Sequence, residues 1–140
     1  MKSLRIQGLL ALMLFLPATA MAAGVRVVPG LWEFTSSLPD VLGSEAGRQT
    51  HRTCIRDSTI TPEQVMARLK ECRIWDAKVQ GALAKWKMKC ETPAGPMVGS
   101  GSLKTTGSAI SGSLDMTFTL GSLEIPATSS FQGRRVGPCG

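Results

Sequence analysis

His51 is the only histidine in the 140 residues, so any catalytic system that relies on an imidazole base has to use it. A serine nucleophile of the α/β-hydrolase type also needs a sharp turn, and the Gly-x-Ser-x-Gly pattern of that turn does not occur. The carboxylates, among them Glu33 and Asp115, are scattered, whereas a glycosidase needs two at a defined separation. We therefore expect a protein that is not an enzyme. The alternative is a small periplasmic hydrolase in which His51 works with a carboxylate.

The four cysteines, Cys54, Cys72, Cys90 and Cys139, predict two disulfides, because their number is even and the chain carries an export signal. Three pairings are open. We favour Cys54–Cys72, which would close a loop around a short helix, together with Cys90–Cys139, which would attach the C-terminus to a strand. Cysteines oxidised in this way cannot act as nucleophiles.

No metal or cofactor is expected. Zinc sites usually contain a Cys-x-x-Cys pair, which is absent here. Methionine thioethers bind copper, but the methionines beyond residue 22 do not cluster in the sequence: Met66, Met88, Met97 and Met116.

The first 22 residues have the order of features of a signal peptide. Lys2 and Arg5 form a basic head, residues 6–16 are almost wholly apolar, and Ala20 and Ala22 are the small residues that a signal peptidase requires. The apolar run is shorter than the roughly 20 residues that span a bilayer as a helix. We expect cleavage after Ala22 and no transmembrane segment in the mature protein, which would be periplasmic or secreted.

The remaining chain, residues 23–140, is long enough for one domain. Alternation of apolar with polar residues is its main signal and predicts strands with one buried face. Residues 84–91 and 114–120 alternate strictly, and Trp75, Ala77 and Val79 are predicted to share a buried face. Turn residues separate these runs: Gly81, Pro93 to Pro96, Thr106 to Ser108, Gly112 and Gly121.

One segment has the pattern of a helix. Thr61 is a suitable N-cap, Pro62 suits the first helical position, and Gln64 completes a capping box. Val65, Leu69 and Cys72 would share a face of a helix of about ten residues. Leu38 to Gln49 lacks periodicity and is predicted to be an exposed loop. These patterns together predict a mainly β fold, a curved antiparallel sheet or partly closed meander barrel of about six to eight strands with one short helix and two disulfides.

Two groups of side chains are candidates for binding. Trp75, Trp86 and Phe118 would face an apolar ligand if the concave side of the sheet encloses a cavity. A basic stripe on the wet face of one strand would meet an anionic surface such as lipid or lipopolysaccharide, and nucleic acid is not expected in an exported protein. The residues of this stripe and the basic pair that could join it are Lys85, Lys87, Lys89, Arg134 and Arg135.

The opening Pro29-Gly30-Leu31-Trp32-Glu33, the order of the cysteines and the closing Gly133-Arg134-Arg135-Val136-Gly137-Pro138-Cys139 form one pattern. This pattern resembles the small exported bacterial family catalogued as domain of unknown function 3617, over nearly all of residues 23–140. The resemblance implies a periplasmic or secreted location and four paired cysteines, and it implies no catalytic residue. We accordingly predict a non-enzymatic binding or envelope-associated module for an apolar ligand or an anionic surface.

Overall fold

The computed structural model describes residues 23–37, 47–67, 69 and 71–140. The predicted signal peptide and residues 38–46 of the predicted loop lie outside these ranges. The elements of the described chain are β1 (Val25–Arg26), β2 (Gly30–Ser37), β3 (Arg48–Ile55), β4 (Thr59–Ile60), α1 (Pro62–Met66), β5 (Cys72–Gln80), β6 (Leu83–Thr92), β7 (Gly95–Thr105), β8 (Ala109–Leu120) and β9 (Leu123–Gly137).

Seven strands form one antiparallel sheet in the order β3-β2-β9-β8-β7-β6-β5. From β5 to β9 the chain is a meander in which each strand pairs with the next. The two edge strands, β3 and β5, do not pair with each other, so the sheet is open. This arrangement confirms the predicted mainly β fold with one short helix.

The alternation of residues 84–91 is the physical basis of the two faces of the sheet. Trp86 and Met88 are buried, while Lys85 and Lys87 between them are exposed. Successive side chains of a strand point to opposite faces, so this pattern and the strand register define an inner, apolar face and an outer, wet face.

Segments from outside the large sheet cover part of the inner face. Val25 and Val27, near the start of the described chain, and Met66 of α1 are almost fully buried in one cluster with Trp86 and Leu103 of the sheet. Strands β1 and β4 form a separate two-stranded sheet beside them. The hydrophobic core is therefore a layer between the inner face and this cover.

Three predicted turns are confirmed. Gly81, Gly107 and Gly121 each have φ between 59° and 82°, where glycine lacks the steric penalty of other residues. The predicted turn at Gly112 is wrong, since this residue lies within β8 and pairs with Leu103 and Phe131.

The predicted start of the helix is correct and its predicted length is not. Thr61 is the N-cap, and its hydroxyl and the Gln64 side chain form the reciprocal bonds of a capping box. The helix ends at Met66, and Cys72, predicted to continue its apolar face, instead begins β5 opposite Cys90. Within the described ranges no helix is long and apolar enough to cross a membrane.

Strand β5 contradicts the predicted alternation of Trp75, Ala77 and Val79. The register with β6 shifts between Trp75 and Lys78, and Asp76 within this bulge has φ of 53°. An extra residue in a strand reverses the faces beyond it. Val79 is half-buried on the inner face, whereas Trp75 and Ala77 are exposed.

The favoured disulfide pairing is wrong, although all four cysteines are oxidised. Cys72 bonds to Cys90, directly opposite it on the neighbouring strand, with Cα atoms 4.0 Å apart. Cys54 of β3 bonds to Cys139 after the end of β9. Pairing followed the register of the strands, which the spacing of cysteines in the sequence does not reveal.

The predicted loop from Leu38 to Gln49 is too long at its C-terminal end. Arg48 and Gln49 belong to β3, where they pair with Ser37 and Ser36 of β2. Their polar side chains suit a strand at the edge of a sheet, a position that does not require an apolar pattern.

Candidate functional site

The inner face of the sheet contains an apolar groove of about 610 Å³. We call it the inner groove. Its walls come from five neighbouring strands, β3, β2, β9, β8 and β7, and from the segment around β4 and α1. The apolar side chains that line it are Phe34, Ile55, Ile60, Val65, Met66, Leu69, Leu103, Ile110, Leu114 and Phe131.

Glycines beneath two aromatic rings help to form this groove. A Cβ atom at Gly112 would overlap the ring of Phe131, and one at Gly133 would lie 2.7 Å from Cδ1 of Phe34. Both rings therefore lie against the backbone of the adjacent strand. Rings in this position occupy the floor of the groove and leave the space above it open.

Polar side chains interrupt the apolar surface of the inner groove. The His51 ring stacks on Phe34 of the adjacent strand, with centroids 5.6 Å apart and planes 18° from parallel. Ser129 donates a hydrogen bond of 2.9 Å to the carbonyl of Ser37. The other polar residues that line the groove are Ser36, Thr53, Arg56, Asp57, Thr59 and Gln64. A mainly apolar surface that also carries polar groups is typical of sites that bind small molecules.

His51 has the contacts of a packed side chain. It is half-buried on β3, directly opposite Phe34. Among the described residues no carboxylate forms a hydrogen bond or an ion pair with it. Asp57 lines the same groove but is exposed and has no such contact with His51.

The structure separates the three aromatic residues that were predicted to face one ligand. Trp86 is 2% exposed and its ring lies against Gly101, where a Cβ atom would overlap it. Phe118 is half-buried on the inner face but does not line the inner groove. Trp75 is on the outer face, opposite Lys87. Phe34 and Phe131 are the groove aromatics that sequence reasoning missed, and their alternation with polar neighbours is the signal that marks them as inner residues.

The predicted basic residues also fall into separate places. Lys85, Lys87 and Lys89 are exposed on the outer face of β6, as predicted. Arg134 is on the outer face of β9, three strands away, which corresponds to about 14 Å. Arg135 is half-buried and donates a hydrogen bond of 2.7 Å to the carbonyl of Pro29.

Arg134 already forms an ion pair with a carboxylate. Its Nη2 lies 2.7 Å from Oε1 of Glu33, and Nη2 of Arg52 lies 2.9 Å from Oε2 of the same group. The hydrogen bonds from Arg134 and then Arg52 lower the pKa of Glu33 below its ordinary value of 4.5. Glu33 therefore acts as the centre of a three-strand ion cluster on β9, β2 and β3.

A second depression, of about 650 Å³, lies mainly over outer side chains of β2, β8 and β9. Most of its lining residues are polar, among them Thr35, Ser37, Ser111 and Gln132. An apolar molecule gains less from burial here than in the inner groove, because burial is favourable in proportion to apolar contact area.

Comparison with known proteins gives one result. Residues 27–139 match a family described as "Protein of unknown function (DUF3617)". This match confirms the resemblance identified from the opening and closing motifs. No curated protein and no solved structure matches the chain.

Proposed function

The chain therefore belongs to this family of proteins of unknown function, and we propose that it is an exported, non-enzymatic module that binds an apolar small molecule in the inner groove. The groove of about 610 Å³ carries the proposal, because its volume is in the range of about 300–1,000 Å³ of known small-molecule sites. The ligand would be mainly hydrocarbon, with a small polar group able to reach Ser36 or His51.

The exported location is supported by the disulfides. Both bonds join residues that are distant in sequence, by 18 and 85 positions. Such bonds persist in oxidising compartments and are rare in the cytosol. The predicted signal peptide would direct the chain to such a compartment.

The absence of catalysis is part of the proposal. The hydrolase alternative would require His51 to be aligned by a carboxylate and placed beside a nucleophile. In the described chain the His51 ring stacks on Phe34 and has no carboxylate partner, and all four cysteines are oxidised. These contacts favour binding over the hydrolase alternative.

Filling the groove tests the proposal. Leu114 is half-buried and lines the groove, so Leu114→Trp would place an indole in the space that the ligand needs. We expect the affinity for the fluorescent apolar dye N-phenyl-1-naphthylamine to fall by about tenfold or more, equivalent to at least about 1.4 kcal/mol. Titration of the dye into the purified mature protein, followed by fluorescence, measures this change.

Leu123→Trp is the matched control, because Leu123 is 59% exposed and does not line the inner groove. It introduces the same side chain away from the groove and should leave dye affinity unchanged. The proposal is wrong if the native protein does not bind the dye, or if the two variants bind it equally well while both remain folded.

A further inference from the structure

The outer face of β5 and β6 presents a compact group of cations around an exposed tryptophan. On β5 these are Arg73, Trp75 and Lys78, and their register partners on β6 are Lys89, Lys87 and Lys85. We call these six residues the basic–Trp patch. Because β5 is an edge of the sheet, the patch extends to the margin of the described domain.

The charges of this patch are not arranged to stabilise the fold. Arg73 lies directly opposite Lys89, and Lys78 directly opposite Lys85. Like charges in directly opposed positions destabilise a pair of strands. The patch therefore pairs cation with cation in two of its three rows, where an acidic residue on one strand would have been stabilising.

Nearby carboxylates neutralise only part of this charge. Asp76 lies 3.6 Å from Nζ of Lys78 and 3.7 Å from Nζ of Lys87, and Glu91 lies 3.3 Å from Nζ of Lys89. Five cations and these two carboxylates leave a net charge of +3. Among the described residues, no carboxylate lies within salt-bridge distance of Arg73 or Lys85.

Trp75 is exposed because it alternates with Ile74, which pairs with the buried Met88 on the inner face. It is 42% exposed, and the Arg73 guanidinium lies 5.9 Å from the centroid of its ring. Val98, which pairs with Lys89 on the other side of β6, is 45% exposed. The patch thus combines positive charge with apolar surface that is exposed to solvent.

We propose that the basic–Trp patch docks the protein on the surface of a bilayer that contains anionic phospholipid. Phosphate groups would neutralise the opposed cations, and the Trp75 indole would lie among the headgroups, where tryptophan is enriched in membrane proteins. Alternate side chains of a strand are about 7 Å apart, so the patch spans several headgroups. This docking is independent of the inner groove, which lies on the opposite face.

The combination of tryptophan and cations favours a lipid surface over a soluble polyanion. A soluble polyanion would use the charges alone and would leave the indole in water. A bilayer uses both, since its interface accommodates an amphipathic ring and its phosphates attract lysine and arginine.

Tryptophan fluorescence tests this proposal in the native protein. All three tryptophans are described, and Trp32 and Trp86 are 0% and 2% exposed, so a lipid-dependent change would come from Trp75. Vesicles of phosphatidylcholine with phosphatidylglycerol should shift the emission to shorter wavelength, and sedimentation should recover the protein with the vesicles. Vesicles of phosphatidylcholine alone should do neither, and high salt should reverse binding.

A double variant separates binding from stability. Lys85→Gln with Lys89→Gln removes one cation from each like-charge pair. Within the described part of the chain, the only ion pair it removes is the exposed Lys89–Glu91 contact, which contributes little to stability, so the protein should melt at or above the native temperature. Partitioning onto the anionic vesicles should fall by about 25-fold, from about fivefold for each cation removed. Trp75→Ala should abolish the spectral shift and weaken sedimentation.

Arg26→Gln with Arg48→Gln is the control for net charge, since both residues are exposed away from the patch. This variant should bind vesicles as the native protein does. The proposal is overturned if both double variants weaken binding equally, or if neutral vesicles bind as well as anionic ones. Binding to heparin without binding to vesicles would also overturn it.

Discussion

Glu33 shows how one carboxylate ties together three strands of the outer face. It accepts hydrogen bonds from Arg134 and Arg52, and its side chain is 17% exposed. Because these partners lower its pKa in the folded protein, the folded state binds the proton less readily than the unfolded chain. The stabilisation by Glu33 is therefore complete above pH 4.5 and is lost as the pH falls through the lowered pKa.

Glu33→Gln tests this linkage. The variant should be less stable than the native protein at neutral pH, and the difference should shrink as the pH falls below 4.5. Urea unfolding at several pH values measures both free energies of unfolding. Glu124→Gln, an exposed position without a salt bridge among the described residues, should give no such trend. A deficit of Glu33→Gln that stays constant into acid would contradict this account.

Gly101 is the second residue with a specific role, because the fully buried Trp86 ring occupies the space of its missing side chain. Gly101→Ala should destabilise the protein by about 1–3 kcal/mol through overpacking. Gly137→Ala is the control, since a Cβ atom there meets nothing within 4 Å and its effect should be neutral or slightly stabilising. Thermal unfolding of both variants measures the difference, and equal melting temperatures would disprove the packing role.

At the scale of elements, the features that the sequence predicted correctly are those that depend on residues close together in the chain. The capping box at Thr61 and Gln64 is formed because its bonds involve neighbours in the chain. The alternation of residues 84–91 gave the two faces of β6 because the pleat has a period of two. The bulge at Asp76 breaks the alternation of inner and outer side chains in β5. No residue type in that segment predicts a bulge.

The bulge has consequences for function as well as for register. A regular β5 would have kept Trp75 and Val79 on one face of the sheet, whereas the sequence pattern predicted that this shared face is buried. The observed strand keeps Ile74 and Val79 inside and presents Trp75 beside Lys87 on the outer face. Bulges often redirect a side chain in this way, and here the result is that Lys78, which follows the bulge, joins Trp75 on the outer face as part of the basic–Trp patch.

At the scale of the whole molecule, the two disulfides should differ in their contribution to stability. Cys54–Cys139 closes 85 residues of chain and Cys72–Cys90 closes 18. Constraint of the unfolded chain then predicts about 4.6 kcal/mol for the first and about 3.2 kcal/mol for the second. Replacing each pair by alanines in turn and measuring urea unfolding tests the order.

We expect loss of Cys54–Cys139 to destabilise the protein by about 1 kcal/mol or more beyond loss of Cys72–Cys90. The long bond also connects edge strand β3 with the end of the chain, so its loss should expose that edge. The opposite order of stabilities would show that strain or residual structure in the unfolded state outweighs loop length.

The sequence by itself determined the class of the protein: an antiparallel β domain with one capped helix, four cysteines in two disulfides, and a lysine stripe on one wet face. Each of these depends on residue types or on a short period along the chain. The tertiary structure decided which cysteines meet, where Trp75 points and which side chains line the inner groove. Those outcomes depend on strand order and register, which bring Phe34, Leu114 and Phe131 to one groove from positions almost a hundred residues apart in the chain.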